Sequence, residues 1–178
     1  RDKKLGTIVN NESAEIIRML NSQFNDLTGD TLDFYPARHR SEIDAINDRI
    51  YHGIINGVYK TGFATTQAVY EEEYSRVFAV LDWLEERLTQ RTFLLGDSVT
   101  EADWRLFTTL VRFDSVYHGH FKLNRQKLSE FPRLSDYIER LTAVPGVSET
   151  INQDHIKAHY YGSHTSINPT GIVPLGPA

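Results

Sequence analysis

A helix start in the middle of the chain limits what this sequence can fold into more than any other feature. The run Phe93-Leu94-Leu95-Gly96-Asp97 leads into Ser98-Val99-Thr100-Glu101-Ala102-Asp103-Trp104. Thr100 suits an N-cap, and Asp103, three residues on, can reach back to the Thr100 backbone N–H as a carboxylate capping box. Val99 and Trp104 are spaced for a hydrophobic staple. The helix that follows, Trp104 to Phe113, is mostly apolar. A helix of that composition is stable only when surrounded by other elements.

Bulk properties narrow the class. The chain has 178 residues, with 40% apolar and 24% charged residues and a net charge of −5. That length suits one domain, or one domain plus a fragment, with a real core. The acidic balance gives no electrostatic case for nucleic acid. With neither a membrane-length apolar run nor a signal-peptide pattern, the expectation is a soluble, cytoplasmic protein. Cys is absent, so disulfides, thiolate metal sites and Cys nucleophiles are excluded within these residues. The chain begins at Arg1, and its one Met is Met19. The expectation is a fragment whose true start lies upstream.

Along the chain, Thr7-Ile8-Val9 reads as an edge strand or second hairpin arm, followed by a helix capped at Asn10 or Asn11 that carries Ile16, Ile17, Met19 and Leu20. One strand and one helix cannot bury their apolar faces alone. This segment therefore looks like the end of a sheet domain. Residues 21–36 form a polar connector. Ile43, Ile46, Ile50 and Ile54 then recur at helical spacing. Gly53, Gly57 and Gly62 weaken helix continuity around Tyr59. A second long helix starts near Thr65 or Thr66, with Tyr70, Tyr74, Val77, Phe78, Leu81, Leu84 and Leu88 on one face and Glu72–Arg76 paired on the other. A shorter helix spans about Pro132 to Leu141, and Pro145-Gly146 precedes one more. The apolar tail from Gly162 is expected to wrap back over the helices. The architecture expected is an all-α bundle with a stub of something else in front.

Four stretches resemble a known family. They are Ile8-Val9-Asn10-Asn11-Glu12-Ser13-Ala14-Glu15-Ile16-Ile17, Asn56-Gly57-Val58-Tyr59-Lys60-Thr61-Gly62-Phe63-Ala64-Thr65, the capped helix from Thr100 to Asp114, and Pro145-Gly146-Val147-Ser148-Glu149-Thr150 with His155-Ile156-Lys157 and His159-Tyr160-Tyr161-Gly162-Ser163-His164 through to Pro169. Together they resemble the glutathionyl-hydroquinone reductases, the Xi class of glutathione transferases. The first and third are shared broadly with transferases; the second and fourth are more specific to this class. The resemblance implies a fold of the glutathione transferase C-terminal type over residues 35–178, with residues 1–22 the last strand and helix of a thioredoxin-like glutathione domain. It also implies a nucleophilic Cys upstream, so that the chain alone is inactive in thiol transfer, and a homodimer.

A helix start favours an anion. Ser13 can donate to a carboxylate there and Glu12 can accept from an ammonium, and the resemblance assigns this pair to the γ-glutamyl end of glutathione, the co-substrate. The plainer alternative is that both are simply good first-turn residues. The resemblance likewise makes Tyr59 and Tyr160 the phenols that hold the oxygen of an aromatic hydroquinone. Their alternative is core-edge filling, and Tyr161 competes with Tyr160 for the role. His118, His120, His155, His159 and His164 lack the carboxylate or Cys partners of a closed metal site; no metal is expected, and the histidines are read as capping helices or pinning the tail. Arg105, Arg112 and Asp114 are expected in a structural ion pair. The implied reaction is reductive removal of glutathione from a glutathionyl-hydroquinone. A Cys thiolate attacks the glutathione sulfur, hydroquinone leaves, and a second glutathione resolves the mixed disulfide. Two rival readings are a conventional glutathione-conjugating transferase and a non-catalytic, transferase-like interaction module.

Overall fold

The computed structural model describes residues 2–176; Arg1 and residues 177–178, the outer ends of the two expected units, lie outside them. Eight α-helices follow in order: α1 (Ser13–Ser22), α2 (Asn25–Thr28), α3 (Arg40–Ile50), α4 (Gly57–Gly62), α5 (Gln67–Arg87), α6 (Glu101–Leu110), α7 (Pro132–Thr142) and α8 (Gln153–Ser163). Two π-helical turns interrupt this series, Tyr51–Ile55 between α3 and α4 and Phe113–Tyr117 after α6.

The core forms where the sequence periods place it. Ile43, Ile46, Ile50 and Ile54 are buried on α3 and its π extension, in one core with Val77, Phe78, Leu81 and Leu84 of α5. Thr66 caps α5, its hydroxyl accepting from the Val69 N–H at 3.4 Å. The glycines ahead of α5 do more than loosen a helix. A Cβ on Gly53 would lie 2.4 Å from Val80 Cγ2, so its absence lets the two backbones approach.

Helix α6 begins as expected. Asp103 Oδ2 accepts from the Thr100 N–H at 2.7 Å and from its hydroxyl at 2.8 Å. Its Oδ1 accepts from the Leu94 N–H and the Tyr137 hydroxyl, both at 2.9 Å. One carboxylate thereby ties the helix start to the preceding loop and to α7. Burial nevertheless pushes the Asp103 carboxyl above its ordinary value, against the pull of those hydrogen bonds. Trp104 packs edge-on against Phe34 and Phe107.

Some expectations need correction. Residues 7–9 are not a strand, and no strand occurs among the described residues. An isolated bridge pairs Phe93 with Gly96. The N-terminal segment closes as a turn instead, the Asp2 N–H donating to the Thr7 carbonyl at 2.9 Å, and Ile8 and Val9 stay exposed. Extended residues with no neighbouring ladder have nowhere to place their N–H and C=O groups. Glu12 rather than an Asn occupies the N-cap position of α1, with no side-chain cap, and Asn10 accepts from the Glu12 N–H at 3.0 Å.

Arg105 meets Glu101 at 3.5 Å, but Arg112 and Asp114 do not join in. Arg112 donates to the Thr108 carbonyl, and Asp114 accepts from the Leu128 and Ser129 N–H groups. The tail is tied by polar groups more than by its apolar ones. Asn168 donates to the Tyr161 and Ile172 carbonyls and Lys157 to the Leu175 carbonyl, while Ile167 alone of the four apolar tail residues packs on the core.

Candidate functional site

Three phenols from three separate segments converge. Tyr59 lies on α4 just past the first π turn, Tyr117 ends the second π turn, and Tyr160 sits on α8. The Tyr59 and Tyr160 hydroxyls are 2.6 Å apart, and those of Tyr117 and Tyr160 are 3.0 Å apart. Tyr160 and Tyr117 are buried, whereas Tyr59 is 38% exposed. Beneath them Phe121 stacks on Tyr117 at 5.3 Å with 13° between the rings. That stack needs Gly62, whose Cβ, if present, would lie 2.2 Å from the Phe121 ring.

Tyr160 has one proton and two neighbouring phenol oxygens. The arrangement that leaves no buried phenol proton unpaired runs from Tyr117 to Tyr160 to Tyr59. It turns the Tyr59 proton toward the open face. Burial pushes the Tyr160 hydroxyl up to about 12, opposed by the hydrogen bond from Tyr117. Burial raises Tyr117 well above its ordinary value as well. Both are therefore neutral near pH 7 and act as hydrogen-bonding phenols rather than phenolates.

Tyr161 points elsewhere. A residue one step along a helix is rotated by about 100°, and Tyr161 packs at a tilt against His120, 4.5 Å between rings, with its hydroxyl 3.4 Å from the Ser115 carbonyl. The histidine expectation holds for one pair: His120 Nε2 and His164 Nδ1 are 3.1 Å apart, which fixes the start of the tail beside Tyr160. Desolvation lowers both imidazoles from their ordinary value. Sequence reading did not single out Tyr117, which lies outside the motifs that carry the resemblance.

Glu12 and Ser13 lie apart from the phenols, at the exposed start of α1. Among the described residues neither side chain caps the helix or makes a hydrogen bond. Ser13 borders a cavity of about 360 Å³ shared with Ile17, Tyr51, Ile55, Trp104 and Arg105. Tyr51, Ile55, Tyr59 and Phe63 follow at intervals of four, a partly exposed stripe leading from this cavity to the phenols. Helix α1 is latched to the bundle by Arg18, which meets Glu101 at 2.8 Å and Asp44 at 2.6 Å and lies 3.8 Å over the Tyr35 ring.

The helical fold has close counterparts among known proteins. Residues 67–140 match the family model of the glutathione S-transferase C-terminal domain. The chain is similar to the glutathionyl-hydroquinone reductase PcpF of Sphingobium chlorophenolicum, at 58% identity over 99% of this chain and 56% of the relative. The glutathionyl-hydroquinone reductase YqjG of Escherichia coli is 49% identical over 99% of this chain and 54% of its own. Among solved structures, the glutathione-bound form of YqjG superposes with a TM-score of 0.95 at 49% identity, covering 99% of this chain and 57% of that one. The Xi transferase of Phanerochaete chrysosporium gives 0.94 at 49% identity, covering 98% and 57%. The chain thus spans about half the length of the curated relatives it matches.

Proposed function

We propose that this chain supplies the acceptor half of a glutathione-dependent enzyme that reductively removes glutathione from glutathionyl-hydroquinones. The observation that carries the reading is the 2.6 Å approach of Tyr59 and Tyr160, backed by Tyr117. A neutral phenol with its proton turned outward can donate to a hydroquinone oxygen, and the adjacent aromatic faces can take the ring.

Residues 2–22, on this reading, close a thioredoxin-like glutathione domain, and the bundle from residue 35 onward holds the aromatic substrate. Glu12 and Ser13 bind the ammonium and carboxylate of the γ-glutamyl group. The partly exposed stripe of Tyr51, Ile55, Tyr59 and Phe63 links the Ser13 cavity to the phenols.

These residues contain no Cys, so thiol transfer needs a thiolate from outside them, and the chain alone is inactive in that step. The thiolate attacks the glutathione sulfur; a Cys–glutathione disulfide forms and the carbon–sulfur bond breaks. The electron pair left on the ring carbon takes a proton, and a second glutathione reduces the mixed disulfide, releasing oxidised glutathione. Tyr59 and Tyr160 orient the ring and hydrogen-bond its oxygen as charge develops there. A cytoplasmic homodimer completes the reading.

In the intact enzyme, Tyr59→Phe and Tyr160→Phe are each expected to lower turnover of a glutathionyl-hydroquinone on the order of 100-fold, the worth of one well-placed transition-state donor. Unchanged rates in both variants sink the assignment. Conjugation of a halogenated aromatic electrophile in preference to this reaction identifies a conventional transferase instead. Absence of both activities in the intact enzyme marks a non-catalytic module.

A further inference from the structure

The far end of α5 carries a basic cavity that the proposed reaction does not use. The chain is acidic overall, at −5, and its arginines are otherwise well partnered. Arg18, Arg76, Arg87, Arg105 and Arg125 make ion pairs, and Arg49 lies over the Trp83 ring at 3.8 Å. Arg38, Arg40 and Arg112 donate to His39 and to the Tyr35 and Thr108 carbonyls. Three further arginines share a cavity. Arg91, Arg133 and Arg140 line one cavity of about 400 Å³ between the loop after α5 and the outer face of α7, with Asp136 on its wall. Among the described residues none of the three has an ion-pair partner.

The α5 C-terminus accounts for little of this. Arg91 reaches the Arg87 carbonyl at a long 3.5 Å, and Arg133 and Arg140 reach no α5 carbonyl. The Arg140 Nε is buried and has no hydrogen-bond acceptor. Asp136 is spaced to pair with Arg133 or Arg140 on α7, yet pairs with neither, which leaves the guanidinium forks free. Such forks suit the tetrahedral oxygens of a phosphate group.

We propose that this cavity binds a small dianionic oxyanion of the phosphate class, held by Arg133 and Arg140 with Arg91 at the rim. The site lies past the C-terminal end of α5, at Leu88–Thr92, whereas the phenol cluster borders α5 through Phe113 and Phe78, ten residues earlier. Occupancy therefore does not require the sulfur chemistry, and failure of one reading leaves the other standing.

The test follows the Arg140 Nε–H resonance by NMR while inorganic phosphate or glycerol 2-phosphate is added to the protein. Sodium chloride at equal ionic strength is the control. A saturable shift with either phosphate and none with chloride is expected; the tighter probe tells whether free phosphate or a monoester is the better ligand. Arg133→Gln, an exposed position, is expected to weaken binding about tenfold, the loss of one charge-assisted hydrogen bond. Asp136→Asn, also exposed, is expected to tighten it by removing a repelling carboxylate. An equal response to chloride, or an affinity unchanged in both variants, overturns the proposal.

Discussion

Gly62 and Tyr117 show how single residues shape the phenol cluster. Adding a methyl at Gly62 puts a Cβ inside the Phe121 ring, and overpacking of this kind costs about 2 kcal/mol. Gly62→Ala should therefore lower the urea midpoint. It should also disturb the near-ultraviolet aromatic circular dichroism, because Phe121 carries Tyr117 with it. Tyr117→Phe removes the donor to Tyr160, at a cost of about 1 kcal/mol. The hydrogen bond from Tyr117 holds Tyr160 down against burial, so Tyr160 should ionise at still higher pH in that variant, measurable by ultraviolet titration. Sequence reading singled out Tyr59 and Tyr160 because each lies in a motif that resembles those of a known family. It could not find Tyr117, since a tyrosine buried among phenylalanines at helical spacing is indistinguishable from filler until α8 is laid beside it.

At the scale of elements, the start of α6 and the latch on α1 rest on charged groups bound on several sides. Asp103→Ala strips the partners from Thr100, Leu94 and Tyr137 together. It is expected to destabilise the chain by about 3 kcal/mol, read from chemical unfolding. Arg18→Ala leaves the buried Glu101 with Asn47 and the more distant Arg105 as partners. Because Arg18 is partly solvated, the expected cost is about 2 kcal/mol. It should appear first as faster amide exchange across α1, whose residues are not buried. The capping box was legible because its whole geometry lies within four residues. The latch was not, since Arg18 and Glu101 are far apart in sequence and nothing local pairs them. The expected strand at residues 7–9 failed for the complementary reason: strand propensity is realised only when a ladder is present.

For the molecule as a whole, pH dependence follows from His120 and His164. Both have folded values below the ordinary 6.5 because burial disfavours the charged ring. The unfolded chain therefore binds more protons in the window just below 6.5, and stability rises with pH there. It is fully present above 6.5 and is lost as pH falls from 6.5 through the folded values. Thermal midpoints measured from about pH 7.5 to about pH 5 should drop, and less so in a His120→Gln variant. The amino-acid order by itself determined the helical periods, the buried stripes of α3 and α5 and the start of α6, because these depend on contacts within a few residues. Only the tertiary structure decided which phenols meet, which arginines lack partners, and how far the tail packs. Those outcomes depend on groups brought together from distant positions, where the gain from contact is set by packing and desolvation rather than by local propensity.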